Sequence, residues 1–135
     1  MEAKRQPIFV SALVERFDGF VLICRPHGAD HPRRWEFPGG LARDDESPEA
    51  AMRRLATERA GIHIEISVGQ PPLLGHRDGQ ELEHRYFLGG LSAGQAEPID
   101  YAEVRWIAKG QLCEYDFDSP TREVVDWCVC ADRDE

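Results

Sequence analysis

Short apolar runs alternate with turn-forming clusters along this chain, and the period of each run predicts its element. Residues 8–14 follow Pro7 as one apolar run, the turn Phe17-Asp18-Gly19 interrupts, and residues 20–24 form a second. Two such runs joined across Asp-Gly predict a β-hairpin. Further strands are predicted at 62–68, near 73–76, at 83–88 and at 104–107, with Gly89-Gly90 ending the third of these. Ser47-Pro48-Glu49 is a helix start, with Ser as N-cap, Pro in the first helical position and an acid in the first turn. Gly61 supplies a left-handed C-cap, so the helix runs to Arg59 or Ala60. A second helix begins at Ser119-Pro120 and turns Val124, Val125, Trp127 and Cys128 toward the core. Several strands and two principal helices around one core predict an α+β fold, an α/β/α sandwich with a mixed β-sheet. At 135 residues the chain fits a single domain, 1–135.

Composition changes this picture at three points. From Arg25 to Asp45 it shifts to Pro, Gly, His, Arg and Asp, broken only by Trp35-Glu36-Phe37, and loops this long in compact domains are usually either disordered or functional. Twenty-five acidic residues against 16 basic ones leave a net charge of -9, which repels nucleic acid and anionic membranes. A small anionic ligand stays compatible where a few arginines, such as Arg33-Arg34, dominate within a screening length of about 8–10 Å. No apolar run approaches the ~20 residues of a membrane span, and the charged N-terminus has no secretory pattern. Cys24, Cys113, Cys128 and Cys130 show neither a C-x-x-C nor a Cys/His zinc spacing, so they read as reduced thiols in a cytoplasmic protein.

The chemistry concentrates between Trp35 and Ile62. Trp35-Glu-Phe-Pro-Gly39-Gly40 is followed by five residues, Glu46, seven residues, Arg54, then Glu58, Gly61 and Ile62. This layout resembles the Nudix box, G-x5-E-x7-R-E-U-x-E-E-x-G-U with U aliphatic, and the late Trp106 strand before a C-terminal helix resembles the MutT-like branch. The resemblance implies a Nudix-like sandwich that hydrolyses the pyrophosphate bond of nucleoside di- or triphosphates or nucleoside diphosphate derivatives. It implies Mg²⁺ or Mn²⁺, which neutralises the diphosphate and activates water. It assigns Glu58 and Arg54 to catalysis and Glu58 and Asp100 to metal. Arg25, Gly39 and Gly40 fall to substrate binding, with the Gly-Gly backbone approaching ligand where a Cβ would obstruct; Phe37 is added as a substrate-binding candidate from the residue pattern alone.

Two positions depart from that pattern. The carboxylate slots 55, 58 and 59 hold Leu55, Glu58 and Arg59, so the formal net charge of the face goes from -3 to zero. Arg59 becomes a substrate-binding candidate, since a guanidinium donates paired hydrogen bonds to phosphate. A second reading makes it a surface charge paired with a nearby acid. Leu55 reads equally as the extension of an apolar face with Ala51, Met52 and Ala56, and Arg54 as a brace to Glu46 or a carbonyl. Trp35 and Phe37 are expected to divide between a base stack and the core. Thr121, where MutT-like proteins read an oxidised guanine, offers only a hydroxyl. The five histidines show no ligand spacing. These departures leave two functions open, a hydrolase with an eroded metal site and a nucleotide-binding or sensor module with little or no turnover. A purely structural domain requires the pocket to be filled.

Overall fold

A computed structural model describes residues 6–28, 34–69, 73–77, 80–117 and 119–126. Expectations placed on His31, Arg33, Trp127, Cys128 and Cys130 fall outside them. The hairpin forms as predicted, β1 (Ile8–Glu15) and β2 (Phe20–Arg25) pairing antiparallel across the Asp18-Gly19 turn. After the short strands β3 (Arg34–Trp35) and β4 (Gly39–Leu41) comes α1 (Pro48–Ala60), capped by Ser47 and ended by Gly61 at φ 71°. The remaining strands are β5 (Ile62–Gly69), β6 (Leu73–Arg77), β7 (Gln80–Gly94), β8 (Glu103–Ala108) and β9 (Asp116–Phe117), before α2 (Ser119–Val125). A 3₁₀ turn at Lys109–Glu114 separates β8 from β9.

The main sheet runs β5-β7-β1-β2-β8, with β4 also on β1 and β6 also on β7. It is mixed because β1 lies parallel to β7 while its partners β2 and β4 are antiparallel. The two-residue period of β1 and β2 divides their side chains between two layers. Val10, Ala12, Val14, Leu22 and Cys24 meet Ala51, Met52, Leu55, Ala56 and Ala60 of α1. On the opposite face Leu13, Val21, Ile23 and Ile107 pack with Trp35, Phe37, Phe117, Val124 and Val125. The result is the α+β sandwich expected, with a helix on each face.

Two expectations fail. Gly89-Gly90 does not end its strand: β7 continues to Gly94, with Gly89 opposite Val14 and Ile66, and Gly90 opposite Glu15 and Glu65. Pairing on both edges outweighs the weak strand preference of glycine. Cys113 is disulfide-bonded, so the reduced-thiol reading does not hold there, whereas Cys24 is a buried free thiol.

Candidate functional site

The site is assembled where β4 runs between β1 and α1. Gly39 pairs with Ser11 and Gly40 with Val10. A Cβ on Gly39 would lie 1.9 Å from the Val10 carbonyl oxygen, so this approach to β1 requires glycine. A Cβ on Gly40 would meet Leu55 Cδ2 at 3.0 Å, because α1 crosses directly above β4. The Gly-Gly pair thus has a packing role independent of any ligand. Leu55, 7% exposed, belongs to the core under α1, which is the apolar-face reading of that position.

Two arginines on α1 organise the polar groups around this crossing. Arg54 grips Glu46 with both sides of its fork, Nε to Oε2 at 3.1 Å and Nη2 to Oε1 at 2.6 Å. Its Nη1 donates to Glu58 Oε2 at 3.0 Å one turn on, and Nη2 also reaches the Leu41 carbonyl at 3.4 Å. Glu46 accepts the Arg43 backbone N–H as well, at 2.9 Å. Hydrogen bonding from Arg54, then from that backbone N–H, lowers the Glu46 carboxyl to about 2. The same partnership, Glu46 first, raises Arg54 above its ordinary value. Arg54 therefore ties the loop after β4 to the helix, as the bracing reading anticipates.

Arg59 makes the second clasp. Its Nη1 donates to the Gly39 carbonyl at 2.6 Å, its Nε to Asp100 Oδ2 at 3.0 Å, and its Nη2 to the Asp100 carbonyl at 3.1 Å. The guanidinium lies 4.1 Å from the centre of the Tyr101 ring, a cation–π contact. The Tyr101 hydroxyl accepts the Gly39 N–H at 3.0 Å and sits 3.3 Å from the Gly39 carbonyl oxygen. Burial is the main cause that raises its pKa well above the ordinary value, so it serves as a neutral hydrogen-bonding group. The surface-charge reading captures the Asp100 partner but misses the inward bond to Gly39. Tyr101 went unmarked in the sequence, where it is a lone aromatic in an irregular stretch. Only the fold brings it beneath Arg59.

The other candidates separate. Arg25 ends β2 and pairs with Glu103 at 3.3 Å; Arg105 holds the same carboxylate at 2.7 Å and lies 4.9 Å from the Trp35 ring centre. Arg105 first, and Arg25 after it, keep Glu103 below the usual carboxylate range. Phe37, expected to bind substrate, is a core residue instead: it is 1% exposed, its ring 5.5 Å from that of Phe117. Trp35 is buried too, set edge-on to Tyr115, so neither aromatic offers a free face for a base. The Thr121 hydroxyl is buried 2.9 Å from that of Tyr86 and is not presented to a ligand.

A divalent ion requires several hard oxygen ligands converging on one point. Among the described residues no three His, Cys, Asp or Glu side chains gather in that way. Glu58 is engaged by Arg54 and Asp100 by Arg59, and the Arg59 guanidinium lies against the Gly39 carbonyl. This donor set does not fit a tightly held divalent cation on the α1 face.

The fold, the Gly-Gly strand and the Glu46–Arg54–Glu58 brace define the class. The NUDIX domain model matches residues 5–128, and the chain belongs to that family. Its relatives are MutT-like. It is 31% identical over 64 residues to an 8-oxo-dGTP diphosphatase of Proteus vulgaris, covering 47% of this chain and 57% of that one. It is 39% identical over 61 residues to a CTP pyrophosphohydrolase of Escherichia coli, covering 45% and 44%. The similarity thus spans about half the length of these curated relatives. The crystal structure of a MutT protein from Methanosarcina mazei Go1 superposes over the full length of both chains with a TM-score of 0.77, at 17% identity.

Proposed function

We propose that this protein binds nucleoside di- or triphosphates, or nucleoside diphosphate derivatives, and hydrolyses their pyrophosphate bond at low efficiency through an eroded metal site. The observation that carries this reading is the intact Glu46–Arg54–Glu58 brace beside a face that has lost two of its three carboxylate positions. The scaffold that positions a phosphate chain is retained, and the ligands that concentrate divalent charge are reduced to Glu58 on the helix. The similarity to an 8-oxo-dGTP diphosphatase and to a CTP pyrophosphohydrolase supports the nucleotide class. Buried Phe37 and Thr121 supply no specific base reader, which favours the class over any single base.

A second reading, nucleotide binding without turnover, is supported by Leu55, whose burial in the core leaves no general base at that position. Loss of a general base costs about 10²–10⁴-fold in rate, which slows an enzyme without abolishing it. Calorimetry against a panel of nucleotides and nucleotide sugars, with phosphate release measured in Mg²⁺ and in Mn²⁺, separates the readings. Binding with slow release supports the first and binding without release the second. Absence of binding at millimolar ligand refutes both.

A further inference from the structure

An arginine in place of a motif glutamate could be a surface variation, and its contacts decide against that. The guanidinium is partly buried, its side chain 20% exposed, and it joins two oxygen-bearing groups distant in sequence, the Gly39 carbonyl and the Asp100 carboxylate. The Asp100 carbonyl adds a third oxygen, and the Tyr101 ring closes one side. Carbonyl and carboxylate oxygens are the donors a hard divalent cation takes. Here a covalently attached cation holds them. Of its five N–H groups, three are engaged in these bonds, which leaves one on each terminal nitrogen.

We propose that Arg59 is a resident cation: its guanidinium occupies the place of a divalent ion between the Gly39 carbonyl and Asp100, so that this face takes phosphate oxygens without metal. The inference rests on the phosphate-binding reading above and goes further by specifying which cation meets the ligand. The charge belongs to the side chain itself. It does not depend on metal supply. A guanidinium nevertheless has no water to ionise, unlike a bound metal. The substitution therefore keeps electrostatic capture and gives up the activation of water, which accounts for low turnover on a retained binding face.

The test uses the full chain with two probes. Mn²⁺ added to the protein alone is followed by electron paramagnetic resonance, and inorganic pyrophosphate binding is followed by calorimetry in EDTA and in Mn²⁺. The wild type is expected to leave the free Mn²⁺ signal unchanged and to bind pyrophosphate in EDTA. Arg59→Ala is expected to weaken that binding by about ten- to a hundredfold, the scale of a lost charge-assisted hydrogen bond. Arg59→Lys, which keeps the charge and the fold but loses the fork, should also weaken it. Arg59→Glu should acquire Mn²⁺ uptake. Stoichiometric Mn²⁺ uptake by the wild type, pyrophosphate binding that appears only with Mn²⁺, unchanged affinity in both Arg59→Ala and Arg59→Lys, or no gain of Mn²⁺ uptake in Arg59→Glu would each overturn the inference. Absence of pyrophosphate binding under every condition refutes instead the phosphate-binding reading beneath it.

Discussion

Beneath α1, Arg54 and Arg59 hold carboxylates and carbonyls in two clasps, whereas beneath α2 the space is closed by Trp35, Phe37, Phe117 and the Tyr86–Thr121 contact. Both faces derive from the same alternating strands. Their difference lies at the margins: the apolar layer under α1 is rimmed by partly exposed charged pairs, whereas beside α2 the space is filled by packed aromatic side chains. Polar groups with exposed partners can exchange those partners for a ligand, while a filled aromatic layer must open before anything enters. Under the proposed function phosphate capture belongs to the α1 face, and among the described residues the α2 face is filled by packed side chains.

The largest effect that could break this contrast is at Phe37. If the ring is core, Phe37→Ala costs about 3–5 kcal/mol of stability, the usual cost of removing a buried aromatic. Denaturant unfolding measures it, together with nucleotide affinity for the folded fraction. A variant of wild-type stability that has lost nucleotide affinity would move Phe37 from core to binding site and give the α2 face a base pocket.

Next in size is the brace. Glu46 titrates at about 2 in the folded protein against 4.5 for the free side chain. A depressed folded pKa means that its contribution is fully present above pH 4.5 and is lost as pH falls from there toward 2. Because the pair lies near solvent, that contribution is set at about 1–2 kcal/mol rather than the full value of the shift. Glu46→Gln should remove it, so the wild-type and variant stability curves converge toward pH 2. Parallel curves from pH 7 down to 2 would show that the brace contributes nothing.

A smaller effect belongs to the start of α1, whose Ser47 hydroxyl oxygen accepts the Ala50 N–H at 3.2 Å. Ser47→Ala should cost about 1 kcal/mol, and Ser47→Gly only a few tenths, in thermal or denaturant unfolding. Equal losses in the two variants would argue against the side-chain bond as the stabilising element.

Local signals made much of this legible beforehand. Asp18-Gly19, Ser47-Pro48 and Gly61 each impose a backbone geometry on their own neighbours, and the hairpin and α1 follow within a residue or so. The motif spacing located Arg54 with its brace to Glu46 because both lie on one short loop–helix segment. Long-range pairing was not readable in the same way. Gly89-Gly90 signals a strand end locally, and only β1 and β5 on either side carry the strand through. Arg59 was visible as an exception to a pattern, but Gly39 lies 20 residues away and Asp100 41, so its role depended on the fold. For Phe37 the sequence does not decide, because an aromatic beside Gly-Gly has the same local signature whether it faces ligand or core; the fold buries it.

The smallest effect on stability is at Glu58, and for that reason it sharpens the comparison most. Its side chain is 48% exposed and its pair with Arg54 is an i,i+4 contact on the outside of α1. Such pairs contribute about 0.3–0.5 kcal/mol, so Glu58→Gln should leave unfolding within that margin of wild type. Glutamine keeps the size of the side chain and one carbonyl oxygen for Arg54, and removes the negative charge. A residue whose loss scarcely affects stability cannot reduce activity by unfolding the protein. If Glu58 is the remaining helix carboxylate of the phosphate face, residual pyrophosphate release should fall by about a hundredfold or more, the scale of a lost acid–base group. Pyrophosphate affinity in EDTA should hold or rise, because a negative charge has left the neighbourhood of the ligand. Unchanged release would place any chemistry on other residues, and release that falls only in step with affinity would make Glu58 a part of the binding surface alone.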